Sequence, residues 1–171
     1  RRAGYRRHSD AESTLLDPQE TGESLYEKLS AMGGRLLVRA LPGIEAGTIV
    51  RTPQNNEESS YAGMLKKEMG LIDFSRPAEE LERLVRGLNS WPSAYTYHSG
   101  KQLKIWRAAT GPGKTGAAPG QIIEVTKKEV SVACGEGSLV LLEVQAEGRK
   151  RMETAQFLLG NALREGEMLG Q

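Results

Sequence analysis

Hydrophobic residues recur every three or four positions in two stretches of the chain, and both stretches predict amphipathic helices. The first helix is expected from Thr21, which has the residue type of an N-cap, to Pro42-Gly43. The second is expected from a cap at Ser75 to a stop at Asn89. Their apolar positions are Leu25, Leu29, Met32, Leu36, Leu37, Ala40 and Leu41 in the first helix, and Leu81, Leu84, Val85 and Leu88 in the second.

The chain after residue 92 has short segments in which apolar and polar residues alternate, as in half-buried strands. Ser99-Gly100 is a hairpin turn, and 111–120 is an open loop rich in Gly, Pro and Ala. The expected strands are 94–98, 102–108, 121–125, 130–134 and 139–144, with a short helix at 154–159 and a last strand near Met168. The pattern predicts an α+β fold that is mainly β, in which a helix precedes a small barrel of the OB-like kind.

Charge is distributed unevenly along this part of the chain. The 171 residues are 38% hydrophobic and 26% charged, with a net charge of +1. However, the stretch from Lys101 to Lys128 contains six basic residues and a single acidic one, Glu124. Such a stretch is typical either of a surface that binds a polyanion or of a solvated sheet face.

Residue types that support catalysis or metal binding do not cluster in this sequence. Cys134 is the single cysteine, which excludes an internal disulfide and a cysteine-rich zinc site, and its apolar strand favours an inert thiol. His98 has no Cys, Asp or second His near it, which favours a structural role. Lys114 follows Gly113, but Ala108 stands in the wrong place for a phosphate loop and no helix follows. We therefore predict no catalytic, cofactor-binding or metal site.

The two tryptophans are the candidates for stacking on nucleic-acid bases. Trp91 precedes Pro92 at the joint between a helix and a strand, which favours packing in the core. Alternation along a strand places Trp106 on one face with Lys104, and Arg107 on the other face with Ile105. A Lys beside an aromatic ring fits a nucleic-acid surface, and it equally fits a tryptophan covered by a lysine stem.

Several blocks resemble the methionyl-tRNA formyltransferase family, in the order in which that family has them. The blocks are Thr21 to Leu29, Tyr61-Ala62, Lys66-Lys67-Glu68, Gly70 to Phe74, Leu84 to Pro92, Leu103 to Trp106, Pro119-Gly120 and Gln145 to Met152. The chain departs from the family at Met64, where a basic residue is usual, and at Phe74, where Trp is usual. Ser90 and Ser93 replace a Pro and a Gly of the family pattern.

The resemblance implies a function and a division into segments. The family transfers a formyl group from 10-formyltetrahydrofolate to the methionyl amino group of initiator tRNA, in the cytoplasm, during translation initiation. Its catalytic residues and folate pocket belong to an N-terminal Rossmann-like domain, so this chain alone is expected to be inactive and to bind no cofactor. The implied segments are 1–16, irregular; 17–42, the terminal helix of the formyltransferase domain; 43–70, a linker; and 71–171, an OB-like C-terminal domain.

The resemblance also implies that the chain binds initiator methionyl-tRNA through basic residues that mostly contact phosphates. The implied tRNA-binding residues are Lys66, Lys67, Arg83, Arg86, Lys101, Lys104, Arg107, Arg149, Lys150 and Arg151. We expect a monomer without membrane association, whose natural partners are this tRNA and the missing catalytic domain.

The first residues carry a further hypothesis, that 1–14 are an out-of-frame reading of the family's catalytic segment. One codon choice for Gly4 to Glu12, read from its second nucleotide, encodes Asp-Thr-Gly-Asp, which is the family motif carrying the catalytic aspartate. That motif precedes the helix that begins near Thr21, as it does in the family.

Two other functions stay open on the sequence alone. The chain is also compatible with the C-terminal barrel of another folate-dependent formyltransferase or hydrolase, one that acts on a small molecule. It is equally compatible with a free-standing nucleic-acid-binding module. Binding to tRNA separates the first alternative from the proposed family, and cooperative independent folding favours the second.

Overall fold

The computed structural model of the chain describes residues 7–8, 10–53, 55–58 and 60–170. The chain forms two compact units, with the boundary between Met64 and Leu65.

The first unit is built around one long helix, α1 (Gly22–Glu45). Thr21 caps it as predicted, since the Thr21 hydroxyl accepts a hydrogen bond from Ser24 N–H at 3.1 Å. The Ser24 hydroxyl in turn accepts one from Thr21 N–H at 3.0 Å, which completes a capping box. Hydrogen bonds from Lys28 and Ser24 lower the pKa of Glu20 to about 2.

The predicted stop of this helix at Pro42-Gly43 is wrong, because α1 continues to Glu45. Pro42 lacks an N–H donor, but its carbonyl oxygen accepts from Ala46 N–H at 2.9 Å, so one more turn forms beyond it. Within the described residues no side chain of α1 is buried, and Leu29, Leu37 and Leu41 are exposed.

Two very short strands also belong to this unit. Strand β1 (Arg7–His8) pairs antiparallel with β2 (Thr52–Pro53), in segments that the sequence predicts to be irregular or linker. Residues 1–6 and 9, on which most of the out-of-frame hypothesis depends, lie outside the described residues.

The second unit places a helix, α2 (Ala78–Gly87), against an antiparallel sheet. The sheet order is β3-β4-β7-β6-β5, and β8 pairs with the half of β7 that lies beyond β6. Its strands are β3 (Ala94–His98), β4 (Lys101–Gly111), β5 (Ile122–Val125), β6 (Val130–Ala133), β7 (Ser138–Ala146) and β8 (Met152–Glu153), and a short helix, α3 (Thr154–Leu158), follows. The predicted α+β class, the hairpin at Ser99-Gly100 and the short helix are confirmed.

The start of α2 differs from the prediction. Pro77 occupies the cap position without a side-chain cap, and the Ser75 hydroxyl instead donates to Asp73 Oδ1 at 2.6 Å. Ala78 N–H donates to the Glu136 carbonyl at 2.9 Å, so a loop of the sheet supplies the acceptor that a cap would have supplied.

The core lies between α2 and the inner face of the sheet. Leu81 and Val85 of α2 are fully buried there with Ile105, Leu139 and Leu141 of the central strands. The strand ladders do not close into a barrel within the described residues, since β3 and β5 remain the two ends of the order. The expected last strand is reduced to one bridge, between Gln121 and Met168.

Candidate nucleic-acid interface

A bulge in β4 at Trp106 shapes the outer face of the sheet. Ile105 pairs with Val144 and Arg107 with Glu143, so Trp106 is an extra residue opposite no partner. The extra residue changes the alternation of faces: Ile105 is buried and Arg107 is exposed. The prediction that these two residues share a face is therefore wrong.

Two cations lie over the ring of Trp106. The Arg151 guanidinium carbon is 4.8 Å from the ring centroid, and Lys104 Nζ is 5.8 Å from it. Trp106 Nε1–H donates to Gln145 Oε1 at 3.0 Å, while Gln145 Nε2 donates to the Arg149 carbonyl at 2.8 Å. The ring and the loop 147–151 are thus held together by one glutamine amide.

Two carboxylates hold the arginines of this face. Arg151 donates to both oxygens of Glu143, with Nη2 to Oε2 at 2.7 Å. Arg107 Nη2 donates to Glu153 Oε1 at 2.7 Å and Oε2 at 2.8 Å, and its Nε lies 3.8 Å from Glu143 Oε2. Hydrogen bonding from Arg151, with the charge of Arg107 adding to it, lowers the pKa of Glu143.

Lys66 and Lys67 shortly precede Gly70, which contacts the turn 88–93 between α2 and β3. Both are exposed, Lys66 just before and Lys67 within a short 3₁₀ turn (Lys67–Gly70). Gly70 ends that turn in close contact with Ser93, because a Cβ on Gly70 would lie only 2.1 Å from the Ser93 carbonyl oxygen. This contact ties the segment that carries the two lysines to the turn 88–93.

The other predicted residues are spread around this region. Arg83 and Arg86 lie on α2 in i,i+4 ion pairs, with Glu79 at 3.6 Å and with Glu82 at 2.6 Å. Lys101 begins β4 directly after the hairpin turn, and the alternation of the strand places it on the face opposite Lys104. Arg149 and Lys150 are exposed and follow a tight turn. In that turn Arg149 N–H donates to the Ala146 carbonyl at 3.0 Å, and Gly148 has a φ of 69°.

The ten predicted residues therefore form two groups. Within the part of the chain that the structure describes, six make no ion pair: Lys66, Lys67, Lys101, Lys104, Arg149 and Lys150. The other four, Arg83, Arg86, Arg107 and Arg151, are paired with carboxylates. The predicted residues that make no ion pair are thus mainly lysines.

Sequence reasoning missed the polar residues that organise this surface. Asn89 Nδ2 donates to the Trp106 carbonyl at 3.0 Å, Gln145 bonds the Trp106 ring, and Glu143 holds Arg151. No local pattern marks them, because each acts on a residue 8 to 39 positions away.

Three other sequence interpretations have an outcome here. Trp91 is exposed, so its interpretation as a core residue is wrong. Cys134 is buried as predicted, and this burial raises the pKa of its thiol to about 11. His98 Nε2 lies 3.1 Å from Glu167 Oε2, a contact that joins the end of β3 to the C-terminal segment and agrees with a structural role.

The described residues form neither a metal site nor a membrane-spanning helix. No group of three or more His, Cys, Asp or Glu side chains is placed to hold a metal ion. None of the helices has both the length and the apolar character that a membrane crossing requires.

Comparison with known proteins identifies what the chain is similar to. It is 50% identical to a methionyl-tRNA formyltransferase of Lachnospira eligens over 165 residues, which are 94% of this chain and 52% of the relative. The enzymes of that name from Agathobacter rectalis and Geotalea uraniireducens are 49% and 41% identical, over 91% and 93% of this chain and 51% and 50% of the relatives. The chain thus spans about half the length of these curated relatives.

Solved structures share the fold at low identity. HypX from Aquifex aeolicus matches with a TM-score of 0.60 and 18% identity, over 84% of this chain and 27% of that one. The sugar 3N-formyl transferase WlaRD matches with a TM-score of 0.59 and 15% identity, over 85% and 51%. A family model described as the formyl transferase C-terminal domain matches residues 64–162, which is more than half of the chain. The chain therefore belongs to the formyl transferase family and carries that family's C-terminal domain.

Proposed function

We propose that the chain is the tRNA-binding C-terminal part of a methionyl-tRNA formyltransferase. The observation that carries the proposal is 41–50% identity to proteins of that name over more than nine-tenths of the chain. In this function the whole enzyme transfers a formyl group from 10-formyltetrahydrofolate to the amino group of methionine on initiator tRNA, in the cytoplasm. This chain holds the tRNA, and the transfer itself belongs to an N-terminal domain.

The charge arrangement of the second unit supports a polyanion as the ligand. The net charge of the whole chain is only +1, yet six uncompensated cations occur among the predicted residues of this unit. A phosphate that approaches a free lysine displaces only water and salt ions, whereas one that approaches Arg107 or Arg151 must compete with a carboxylate. The lysines and Arg149 therefore supply most of the affinity, and the paired arginines supply position.

A closed, OB-like arrangement of the second unit is part of this proposal. The segment 166–170 hydrogen-bonds to both ends of the sheet order. Leu169 N–H donates to the Gly120 carbonyl beside β5 at 2.8 Å, and Gly170 N–H donates to the Tyr97 carbonyl of β3 at 2.8 Å. A segment that bonds both edges supports closure, because it occupies the unpaired groups that an open sheet leaves exposed.

The exposed face of α1 supports the assignment of residues 17–42 to the formyltransferase domain. Tyr26, Leu29, Leu37, Val38 and Leu41 leave a row of apolar side chains uncovered within the described residues. An amphipathic helix of this length is normally stabilised by packing of its apolar face. We propose that the other half of the relatives' length provides that packing surface.

Binding of the 171-residue chain to initiator tRNA tests the function. If six cations contact phosphates, the logarithm of the binding constant should fall with the logarithm of salt concentration with a slope of about −4 to −5. The double variant Arg149→Glu, Lys150→Glu should reduce that slope by about 2 and weaken binding at low salt.

The matched control reverses another adjacent basic pair, Lys127→Glu with Lys128→Glu. This pair is exposed in the turn between β5 and β6, two strands from β4 in the sheet order, so binding should change much less. Absence of tRNA binding at low salt would overturn the proposal and favour a relative that acts on a small molecule. Equal losses in the two double variants would show non-specific attraction instead of a defined surface.

A further inference from the structure

Trp91 is a large aromatic residue that the fold exposes without an evident structural need. Its side chain is 56% exposed, whereas the next two residues, Pro92 and Ser93, are buried. The core of the second unit includes neither tryptophan. The local backbone thus buries the two residues after Trp91 while it leaves the tryptophan itself exposed.

The turn that carries Trp91 is held by three hydrogen bonds. Ser93 N–H donates to the Leu88 carbonyl at 3.0 Å, and the Ser93 hydroxyl donates to the Ser90 carbonyl at 2.9 Å. Asn89 Nδ2 ties the same turn to the Trp106 carbonyl in β4. Because the backbone is fixed, only the two side-chain torsions of Trp91 lose freedom when a ligand binds.

Two elements that carry cations contact this turn. Gly70 packs against Ser93, and it ends the 3₁₀ turn that carries Lys67, with Lys66 just before it. The hydrogen bond from Asn89 links the turn to the backbone of Trp106, whose ring lies under Lys104 and Arg151. The turn that presents Trp91 is thus connected to two segments that carry positive charge.

The two tryptophans differ in what their rings are free to do. The Trp106 ring already has Arg151 and Lys104 over it, and its N–H is bonded to Gln145. Among the described residues, no cation and no second ring contacts Trp91 in this way. Trp106 therefore holds cations in place, while the face of Trp91 is available to a ligand.

We propose that Trp91 stacks on an unpaired base of the bound RNA, while cations of the two segments that contact its turn bind phosphates of the same RNA. The inference rests on the proposed function, because it assumes that this unit binds RNA. A base within a double helix is already stacked on its neighbours, so a protruding aromatic ring selects nucleotides outside the helix. The ligand is thus RNA with a single-stranded nucleotide next to a helix.

The test compares two hairpin RNAs that have the same stem, one with a four-nucleotide single-stranded 3′ end and one with a blunt end. Trp91→Ala should weaken binding of the first RNA by roughly 5- to 150-fold, the range measured for the loss of a stacked aromatic, and should leave the second nearly unchanged. Trp91→Phe should retain most of the affinity, since a phenyl ring also stacks. Leu159→Ala, at another exposed apolar residue, is the matched control and should change neither.

Tryptophan fluorescence gives an independent readout. The fluorescence of the wild-type chain minus that of Trp91→Phe isolates the signal of Trp91, since the chain has two tryptophans. That difference should be quenched by the RNA with the single-stranded end and not by the blunt one. Thermal unfolding of each variant, followed by circular dichroism, checks that the second unit remains folded.

The outcomes separate this inference from the proposed function. If the wild-type chain binds both RNAs with a steep salt dependence and Trp91→Ala changes neither affinity, stacking is refuted and RNA binding stands. Equal losses for the two RNAs would also refute it, since they would mean that Trp91 supports the surface structurally or packs on another protein domain. If the wild-type chain binds no RNA, the proposed function itself fails.

Discussion

Substitution of Gly70 by alanine tests the contact that positions the two lysines at the start of the second unit. The added Cβ would lie 2.1 Å from the Ser93 carbonyl oxygen, 3.2 Å from its carbonyl carbon and 3.2 Å from Tyr95 Cδ1. The oxygen belongs to the backbone and cannot rotate away as the end of a flexible side chain would. The 3₁₀ turn and β3 must therefore separate by about 1 Å to restore an ordinary contact distance.

The cost of that separation has two parts. Overpacking of a well-packed site costs about 1–3 kcal/mol. The same shift strains the hydrogen bond from Ile72 N–H to the Tyr95 carbonyl, 2.9 Å long, whose loss would add about 1–3 kcal/mol because Ile72 is buried. Gly70→Ala should therefore lower the free energy of unfolding of the second unit by about 2–6 kcal/mol.

Urea unfolding followed by far-ultraviolet circular dichroism measures this loss, and a melting temperature lower by roughly 8–25 °C should accompany it. Gly87→Ala is the matched control, because a Cβ on this last residue of α2 would meet nothing within 4 Å. Alanine there should be neutral or stabilise by up to about 1 kcal/mol. A Gly70→Ala variant as stable as the wild type would refute the close packing of the 3₁₀ turn against Ser93.

Three further predictions concern polar and titratable groups of the second unit. Thr96 is fully buried and its hydroxyl has no hydrogen-bond partner among the described residues, so Thr96→Val should stabilise the unit by about 1 kcal/mol in urea unfolding. The pKa of the Cys134 thiol is raised to about 11, so the native state keeps a proton that the unfolded chain releases near pH 8.5. Stability should therefore fall as pH rises from about 8.5 toward 11, and Cys134→Ala should flatten that fall; an equally steep fall in the variant would contradict the assignment. The pKa of Glu143 is lowered, so its ionised form stabilises the native state above the ordinary glutamate pKa, and this stabilisation is lost as pH falls through the lowered value. In Glu143→Gln, stability should therefore fall less steeply as pH is lowered from about 5 to 2. Urea unfolding midpoints measured across that pH range test this.

Local patterns predicted where the helices and strands of the second unit lie, but not which distant residues contact them. The alternation around Ser99-Gly100 and the apolar spacing of α2 are local signals, and the hairpin and helix form where these signals lie. Ser75 has the residue type of a cap, but the acceptor for Ala78 N–H comes from Glu136, almost 60 residues away. A local rule cannot anticipate a partner that only the folded sheet brings close.

The site illustrates the same limit. Basic residues were found from composition and from the family blocks, but their state of pairing depends on Glu143 and Glu153, which contact them across the sheet. The bulge at Trp106 is the clearest case, because one extra residue in β4 leaves Ile105 buried and Arg107 exposed, whereas the alternation of the strand predicted that they share a face. Strand periodicity fails after such an insertion, since it assumes that every residue has a partner.

The arginines that pair with carboxylates and the lysines that make no ion pair have different roles in phosphate binding. An arginine held by a carboxylate, as Arg151 is by Glu143, has a fixed position but a lower attraction for phosphate. A lysine without an ion pair, such as Lys150, attracts phosphate strongly but fixes no geometry. Neither type discriminates between nucleotides, because all phosphates are alike. Stacking on an aromatic ring accepts any base, but it requires a base that is not already stacked in a helix. Trp91, an exposed aromatic residue in the turn 88–93, would therefore select unpaired nucleotides over paired ones, which neither type of cation can do.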